Sequence, residues 1–359
     1  MNNNDNSAHQ TSRRITMQDV ADLAGVGIAT VDRVINRRAA VKQDTASKVL
    51  AAAEQLGFRG SRLIRSQLEA SRPGYRLGFL LQKQSTLFYR LLANCLNQAC
   101  QTYAHADITA DVIFLEELSP RAVVEAVEQL TQRCDAVALI AADHPVVNQL
   151  VDRVSQQGTP VFTLITELSS RLCAGHIGLD NHAAGRTAGW MLTRLAPLRG
   201  PLGIIVGSHR YLCQEQCEVS FRSYCRESGA GNQLVEAVIS LEDAALGEEA
   251  THELLQQNPD LAGIYCTGGG VGGMIRALRD HSRKVMVVCN ELTEETHTAL
   301  LDGLIDCVFS HPRQQLADAA VKMMVGHLQN SGLDNHLVLP FTIHTAENIT
   351  TGTTEPLTL

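Results

Sequence analysis

The stretch TMQDVADLAGVGIATVDRVINRRAAV, residues 16–41, decides how the N-terminal part of this chain is read. Thr16 followed by Asp19 predicts a helix start, because a hydroxyl at the cap and a carboxylate three residues on can bind the free backbone N–H groups. Val20, Leu23 and Ala24 then fall on one apolar face. Gly25-Val26-Gly27 breaks this helix, and Ile28 to Ile35 starts a second, with Val31, Val34 and Ile35 inward. Outward from the stretch, Asp44 to Leu56 supplies a third helix with Val49, Leu50, Ala53 and Leu56 on one stripe, stopped by Gly57. Two short helices around a tight glycine turn, with a third packed across them, form a helix-turn-helix arrangement over residues 15–60.

Charge separates this module from the rest. Up to Arg76, Lys and Arg outnumber Asp and Glu by 12 to 7, and from Leu77 onward they are outnumbered 18 to 31, within a net charge of -8 for 359 residues. A small basic module before a large acidic body predicts a nucleic-acid contact at the N-terminal end only. The polar start over 1–14 predicts a disordered tail without the apolar region of a signal peptide. Residues 61–76, with several arginines and Pro73-Gly74, read as a hinge or linker, helical near Leu63 to Glu69.

Beyond the linker, short apolar runs alternate with amphipathic stretches. The runs are LGFLL (77–81), DVIFL (111–115), AVALIAA (136–142), PVFTLI (160–165), HIGL (176–179), LGIIVG (202–207), GIYC (263–266), VMVVC (285–289) and CVF (307–309). Segments of helical length lie between most of them, such as Leu91 to Tyr103, Arg121 to Gln132, Ala183 to Leu195 and Glu248 to Gln257. The pattern predicts α/β architecture with parallel sheets covered on both faces, and its length exceeds one doubly wound sheet, so residues 77–345 read as two lobes. Residues 346–359 read as a polar tail. With 45% hydrophobic and 19% charged residues the chain can bury a core, and no apolar run reaches the roughly 18 to 20 residues that span a bilayer. A cytoplasmic protein without membrane contact is expected. Ten cysteines without CxxC spacing predict buried thiols rather than disulfides or a metal centre.

The enzyme-like signal is Gly268-Gly269-Gly270-Val271-Gly272-Gly273, which satisfies GxGxxG after GIYC, with Glu291 where a dinucleotide fold places its ribose-binding acid. A nicotinamide-dependent enzyme therefore stays open beside a glycine loop of another α/β protein, in which several strands precede the motif. No GxSxG, HExxH or P-loop lysine pattern is present, so no catalytic residue, metal or cofactor is assigned. Cys213, Cys217 and Cys225 leave a thiol-based redox regulator open. His144 beside Asp143, and His311 before Pro312, are single ionisable groups at strand ends.

Residues 16–41 closely resemble the headpiece of the LacI family of bacterial transcriptional repressors, whose pattern is T-x-x-D-V-A-x-x-A-G-V-S-x-x-T-V-S-R-V-x-N. LDNHAAGRTAG (179–189) and NELTEETHTALLDGLIDCV (290–308) resemble that family's effector domain, a relative of periplasmic sugar-binding proteins. The resemblance implies a homodimer on a pseudo-palindromic double-stranded DNA operator, controlled by a small-molecule effector such as a sugar or sugar derivative. It places Ile28, Ala29 and Arg33 at base edges, where Arg33 suits a guanine and the other two a thymine methyl. Thr16, Thr30 and Asn36 would hold phosphates. Asp32 stands where the pattern has serine and would repel a phosphate unless turned aside. The minor-groove wedge falls on Gln67, with Leu68 one position later, and either could intrude.

In the effector domain the resemblance implies that Phe88 and Tyr89 grip a ring, and that Asp143 and Asn290 or Glu291 accept hydroxyls. Cys217, Gly268 and Ser310 stand where the family carries longer polar ligands, each loss removing hydrogen bonds of roughly 0.5–1.5 kcal/mol. Arg210, with His209, is the expected replacement. A cleft that no longer binds a sugar is the remaining alternative.

Overall fold

The computed structural model describes residues 15–36, 41, 43–69, 72–231, 234–332 and 334–349, so the tail expected over 1–14 and the chain from 350 onward lie outside it. Two compact units result: residues up to Gly74, grouped with 104–107, and the remainder.

In the first unit, α1 (Met17–Ala24), α2 (Ile28–Asn36) and α3 (Gln43–Gln55) are followed by α4 (Ser61–Glu69). The capping box forms: Thr16 accepts from the Asp19 amide, and the Asp19 carboxylate accepts from the Thr16 amide at 2.8 Å. Gly25 ends α1 in the left-handed region at φ 66°, where a side chain would be strained. Val20, Ala21, Val31, Val34, Val49 and Ala53 form the core. Leu23, expected inward, is 46% exposed, because Ala21 takes the inner face of the turn. The segment expected as a hinge is helical over all of α4, and its Ile64 is fully buried in this same core, with Arg65 paired to Glu54 at 2.6 Å. Gln67 and Leu68 fall in the last turn of α4, and their side chains lie outside the described residues.

The second unit has two lobes, each a six-stranded sheet. The first lobe comprises β1 (Gly74–Leu81), β2 (Asp107–Phe114), β3 (Ala136–Leu139), β4 (Val161–Leu164), β5 (Gly175–Leu179) and β11 (His336–Leu339), in the order β11-β5-β4-β3-β1-β2. The second comprises β6 (Leu202–Val206), β7 (Val238–Ile239), β8 (Gly263–Cys266), β9 (Met286–Asn290), β10 (Cys307–Ser310) and β12 (Thr342–His344), in the order β12-β10-β9-β8-β6-β7. Strands β3, β4, β8 and β10 are buried along their length, as parallel strands covered on both faces must be. The short β7 and β12 carry no apolar run, whereas β11 carries Leu337-Val338-Leu339, a run not among the strands expected from sequence.

The chain passes between the lobes three times. Helix α8 (Asn181–Leu195) follows β5 into the second lobe and packs on α9 (Leu212–Glu227). Helix α13 (Arg313–Leu328) follows β10 back to the first lobe and packs on α5 (Leu87–Thr102). The turn after β11 returns to β12, and Ile349 still belongs to the second lobe's core. Helices α6 (Pro120–Thr131) and α7 (Pro145–Gln156) cover the other face of the first sheet. In the second lobe α10 (Ala244–Gln257), α11 (Val271–Arg279) and α12 (Glu294–Leu301) complete the layers, and α10 and α11 approach so closely at Gly273 that a Cβ there would overlap the Ala244 carbonyl. No helix among the described residues is long and apolar enough to cross a membrane. Gly273→Ala is expected to destabilise this body by about 1–3 kcal/mol through overpacking, read as a lower urea midpoint in equilibrium unfolding.

Candidate functional site

In the headpiece, α2 divides cleanly. Val31 and Val34 are buried, while Ile28, Ala29, Arg33 and Asn36 are exposed and Thr30 is partly so. Ile28, at 46% exposure, is a large apolar side chain held in water on the same helix that exposes Arg33, which suits contact with a groove. The Asn36 amide donates to Asp32 at 2.7 Å, so the carboxylate that stands in place of serine lies along the helix, and the Asn36 side chain is engaged with it. Likewise the Thr16 hydroxyl donates to Asp19 at 2.7 Å, inside the capping box.

In the body, the carboxyl ends of both sheets face one another. The Asp143 amide after β3 donates to the Arg210 carbonyl after β6 at 2.6 Å, and the Cys213 amide donates to the Thr166 hydroxyl after β4 at 3.4 Å. Tyr89 donates to Gln82, just beyond β1, at 3.0 Å. Gln82 also lies against Tyr211 of the other lobe, and both line a cavity of about 340 Å³ walled by Leu115, Leu118, Ile140 and Val147.

The deepest polar cluster sits at the ends of β8, β9 and β10. Here Glu291 Oε2 and His311 Nε2 are buried without a hydrogen-bond partner among the described residues, and Tyr265 Oη and Asn290 Oδ1 make no well-aligned bond, although the Tyr265 hydroxyl faces the side chains of Asn290 and Cys217. His311 Nδ1 meets Glu291 Oε1 at 2.5 Å, and the Phe88 ring stands 5.9 Å from the imidazole and 5.2 Å from Tyr89. Burial, with the negative charge of Glu242 next, pushes the Tyr89 phenol well above its ordinary range. Glu291 holds φ 72°, a left-handed conformation that costs a non-glycine residue about 1–3 kcal/mol and aims its side chain here. Each unpaired buried group costs about 1–3 kcal/mol, a penalty that a ligand with matching polar atoms removes.

Of the expected effector residues, Phe88, Tyr89, Asn290 and Glu291 therefore converge, and Cys217 lies beside Tyr265. Three others are engaged differently. Asp143 accepts from Asn148 and from the amide and hydroxyl of Ser169 at 2.8–2.9 Å; burial opposes ionisation, but these bonds prevail and hold its carboxyl below the ordinary value. Ser310 pairs with His344 across β10 and β12 at 2.7 Å. Arg210 is exposed and contributes its carbonyl, and His209 pairs with Glu218 at 2.5 Å. Gln82, Tyr211, Tyr265 and His311 join the cleft; Gln82 and His311 directly follow β1 and β10, whereas Tyr265 lies within β8 and Tyr211 five residues past β6, where no local pattern marks them.

The glycine loop has a physical account of its own. Glu242 accepts from the Gly269 amide at 3.0 Å and from Gln214 Nε2 at 2.7 Å, while Gln214 Oε1 accepts from the amides of Gly207 and Ser208 at 2.8 and 3.0 Å. A Cβ at Gly207 or Gly269 would collide with the Glu242 carboxylate, and one at Gly268 with Gln214. The acidic group at this loop is thus the protein's own side chain, lying where a dinucleotide reading would put a phosphate. The cysteines are equally plain: burial pushes the thiols of Cys213, Cys217 and Cys266 up to about 12, the protonated and unreactive form.

A helix-turn-helix headpiece with an exposed reading face, carried in one chain with a two-lobed cleft, defines a DNA-binding protein with a small-molecule-binding body. Residues 77–332 match the periplasmic binding protein domain, and residues 16–61 match the bacterial regulatory proteins of the lacI family. The chain is 26% identical over 268 residues to the HTH-type transcriptional regulator GalS of Salmonella typhimurium, covering 74% of this chain and 76% of that one. It is 24% identical over 280 residues to the ribose operon repressor of Halalkalibacterium halodurans, covering 75% and 77%. In fold it is similar to GanP, a glucose-galactose binding protein from Geobacillus stearothermophilus, with a TM-score of 0.71, 16% identity, and coverage of 77% of this chain and 99% of that one. The chain belongs to the lacI family of bacterial regulatory proteins, and it is an effector-controlled, DNA-binding transcriptional regulator.

Two measurements check the body's chemistry. At pH 8 its buried thiols should react with a thiol reagent at least about a hundredfold more slowly in the folded protein than in urea, given a free-thiol pKa of about 8.5. Burial raises the Glu242 carboxyl above its ordinary 4.5, so the folded state keeps that proton to higher pH than the unfolded chain. The resulting stabilisation is fully present below the unfolded value and is lost as pH rises through the folded one. Glu242→Gln should flatten this part of the stability–pH curve in urea titrations.

Proposed function

We propose that this protein is a dimeric repressor whose headpieces read the two half-sites of a pseudo-palindromic operator. A small hydroxyl-bearing effector, bound between the lobes of the body, then changes operator affinity. The observation that carries the reading is the division of α2, with Val31 and Val34 in the core and Ile28, Ala29 and Arg33 outward. Arg33 supplies a two-pronged donor for a guanine edge, and Ile28 and Ala29 supply apolar contact for a thymine methyl. The names of two relatives, a ribose operon repressor and a catabolite control protein of Priestia megaterium, support a role in carbon metabolism. The effector acts by binding one of two states of the body more tightly than the other, which shifts DNA affinity by the same free energy.

Genome-wide footprinting with the purified full chain is expected to give pseudo-palindromic sites, and finding none would overturn the reading. Arg33→Ala should weaken operator binding by about 1–3 kcal/mol and relax preference at one base pair of each half-site, measured by anisotropy titration on a set of operator variants.

A further inference from the structure

We infer that the small molecule taken by this cleft carries a protonated amine, seated against Glu291 Oε2 with Asn290 Oδ1 and Tyr265 Oη around it. The inference rests on the reading of the body as an effector-binding domain and concerns what that effector must present.

The orphaned oxygens of Asn290 and Glu291 are both acceptors. The Asn290 amide nitrogen already donates to the Thr267 carbonyl at 3.0 Å, which leaves only its oxygen. Glu291 spends Oε1 on His311 and leaves Oε2. His311 Nδ1 is held against that carboxylate, which leaves Nε2 as its unpaired ring nitrogen. Tyr265, fully buried, can give or take. A partner for this group must be rich in donors, and an ammonium offers three on one atom.

Charge points the same way. Glu242 and Glu291 both stand in the cleft wall, and among the described residues neither accepts a bond from a lysine or an arginine. Lys83 influences Glu242 without bonding it. Arg313, buried beside this group, spends Nη1 on the Leu292 carbonyl at 3.1 Å, and the neighbouring thiols are neutral. A ligand cation gives Glu291 Oε2 a charge-assisted partner, and the aromatic side chains of Phe88 and Tyr89 are suited to lie against it. The strained backbone at Glu291 is fixed by its amide, which donates to the Phe309 carbonyl at 2.7 Å, and by its carbonyl, which accepts from the Thr296 hydroxyl at 2.9 Å. The carboxylate is therefore held in place before any ligand arrives, rather than recruited by it.

The test is calorimetric titration of the full-length protein with matched compounds: glucosamine, galactosamine, mannosamine and an amino-inositol against glucose, galactose, mannose and inositol, with glucose 6-phosphate and gluconate as anions. At least one amine should bind about tenfold or more tightly than its hydroxyl twin, and Glu291→Gln should remove that advantage, as loss of a charge-assisted bond predicts. The inference is overturned if the tightest ligands are neutral or anionic, if no amine binds, or if Glu291→Gln binds the amine as well as the wild type does. Because Glu291→Gln alters a strained residue, circular dichroism of the variant accompanies the titration, and the wild-type ranking of twins decides the matter if the variant does not fold. Palindromic footprints together with neutral ligands would sink the amine alone, whereas the absence of footprints would sink the regulator reading whatever the amines do.

Discussion

Everything in the body depends on one constraint of parallel sheets: every strand delivers its polar loop to the same edge. Three passages of the chain between the lobes set two such edges against each other, so that groups distant in sequence become neighbours. Gln82 after β1 reaches Tyr211 after β6, Thr166 after β4 reaches Cys213, and Phe88 reaches His311 after β10. Most strand residues are spent on burial, and the candidate site draws on the ends of β8 and β9, at Tyr265 and Asn290, and on the segments that follow the strands, where the backbone is no longer committed to the ladder and side chains can be aimed.

That edge also explains which polar groups are spent on structure and which are left over. Glu242 and Gln214 satisfy the amides of the glycine loop and of the turn after β6, and Asp143 secures the turn at Ser169. These are closed accounts of hydrogen bonding in which donors and acceptors match. The ends of β8, β9 and β10 are different: Tyr265, Asn290, Glu291 and His311 are packed as tightly as the others yet keep unpaired atoms. A buried polar network that is only partly satisfied is costly, and its retention next to a strained residue is the observation that supports the proposed ligand position.

Much of this was legible in the sequence. The two-glycine break between α1 and α2, the capping box and the unbroken apolar runs of β3, β8 and β9 each follow from local rules that tertiary structure had no reason to override. Leu23 was misplaced because a short helix can turn either of two adjacent stripes inward, and the docking of Ile64 decides which residues share the core with α3. The site was half visible. Phe88, Tyr89, Asn290 and Glu291 sit where strand ends and motif resemblance put them. Asp143 and Ser310 have the right chemistry at the right ends, but Ser169 and His344, remote in the chain, take up their hydrogen bonds. Glu242 carried no signal, since it follows a strand of only two residues and its role depends on glycines far along the chain.

The central claim is that occupancy of the cleft at Glu291 is coupled to operator binding by the headpiece. The direct measurement is an anisotropy titration of labelled operator with wild-type protein and with Tyr265→Phe, with and without the tightest ligand found for the cleft. The account predicts that the ligand changes the wild-type operator Kd by about 5- to 150-fold, and that the variant shows a smaller change at the same ligand concentration. An operator Kd indifferent to a ligand that saturates the cleft would contradict it.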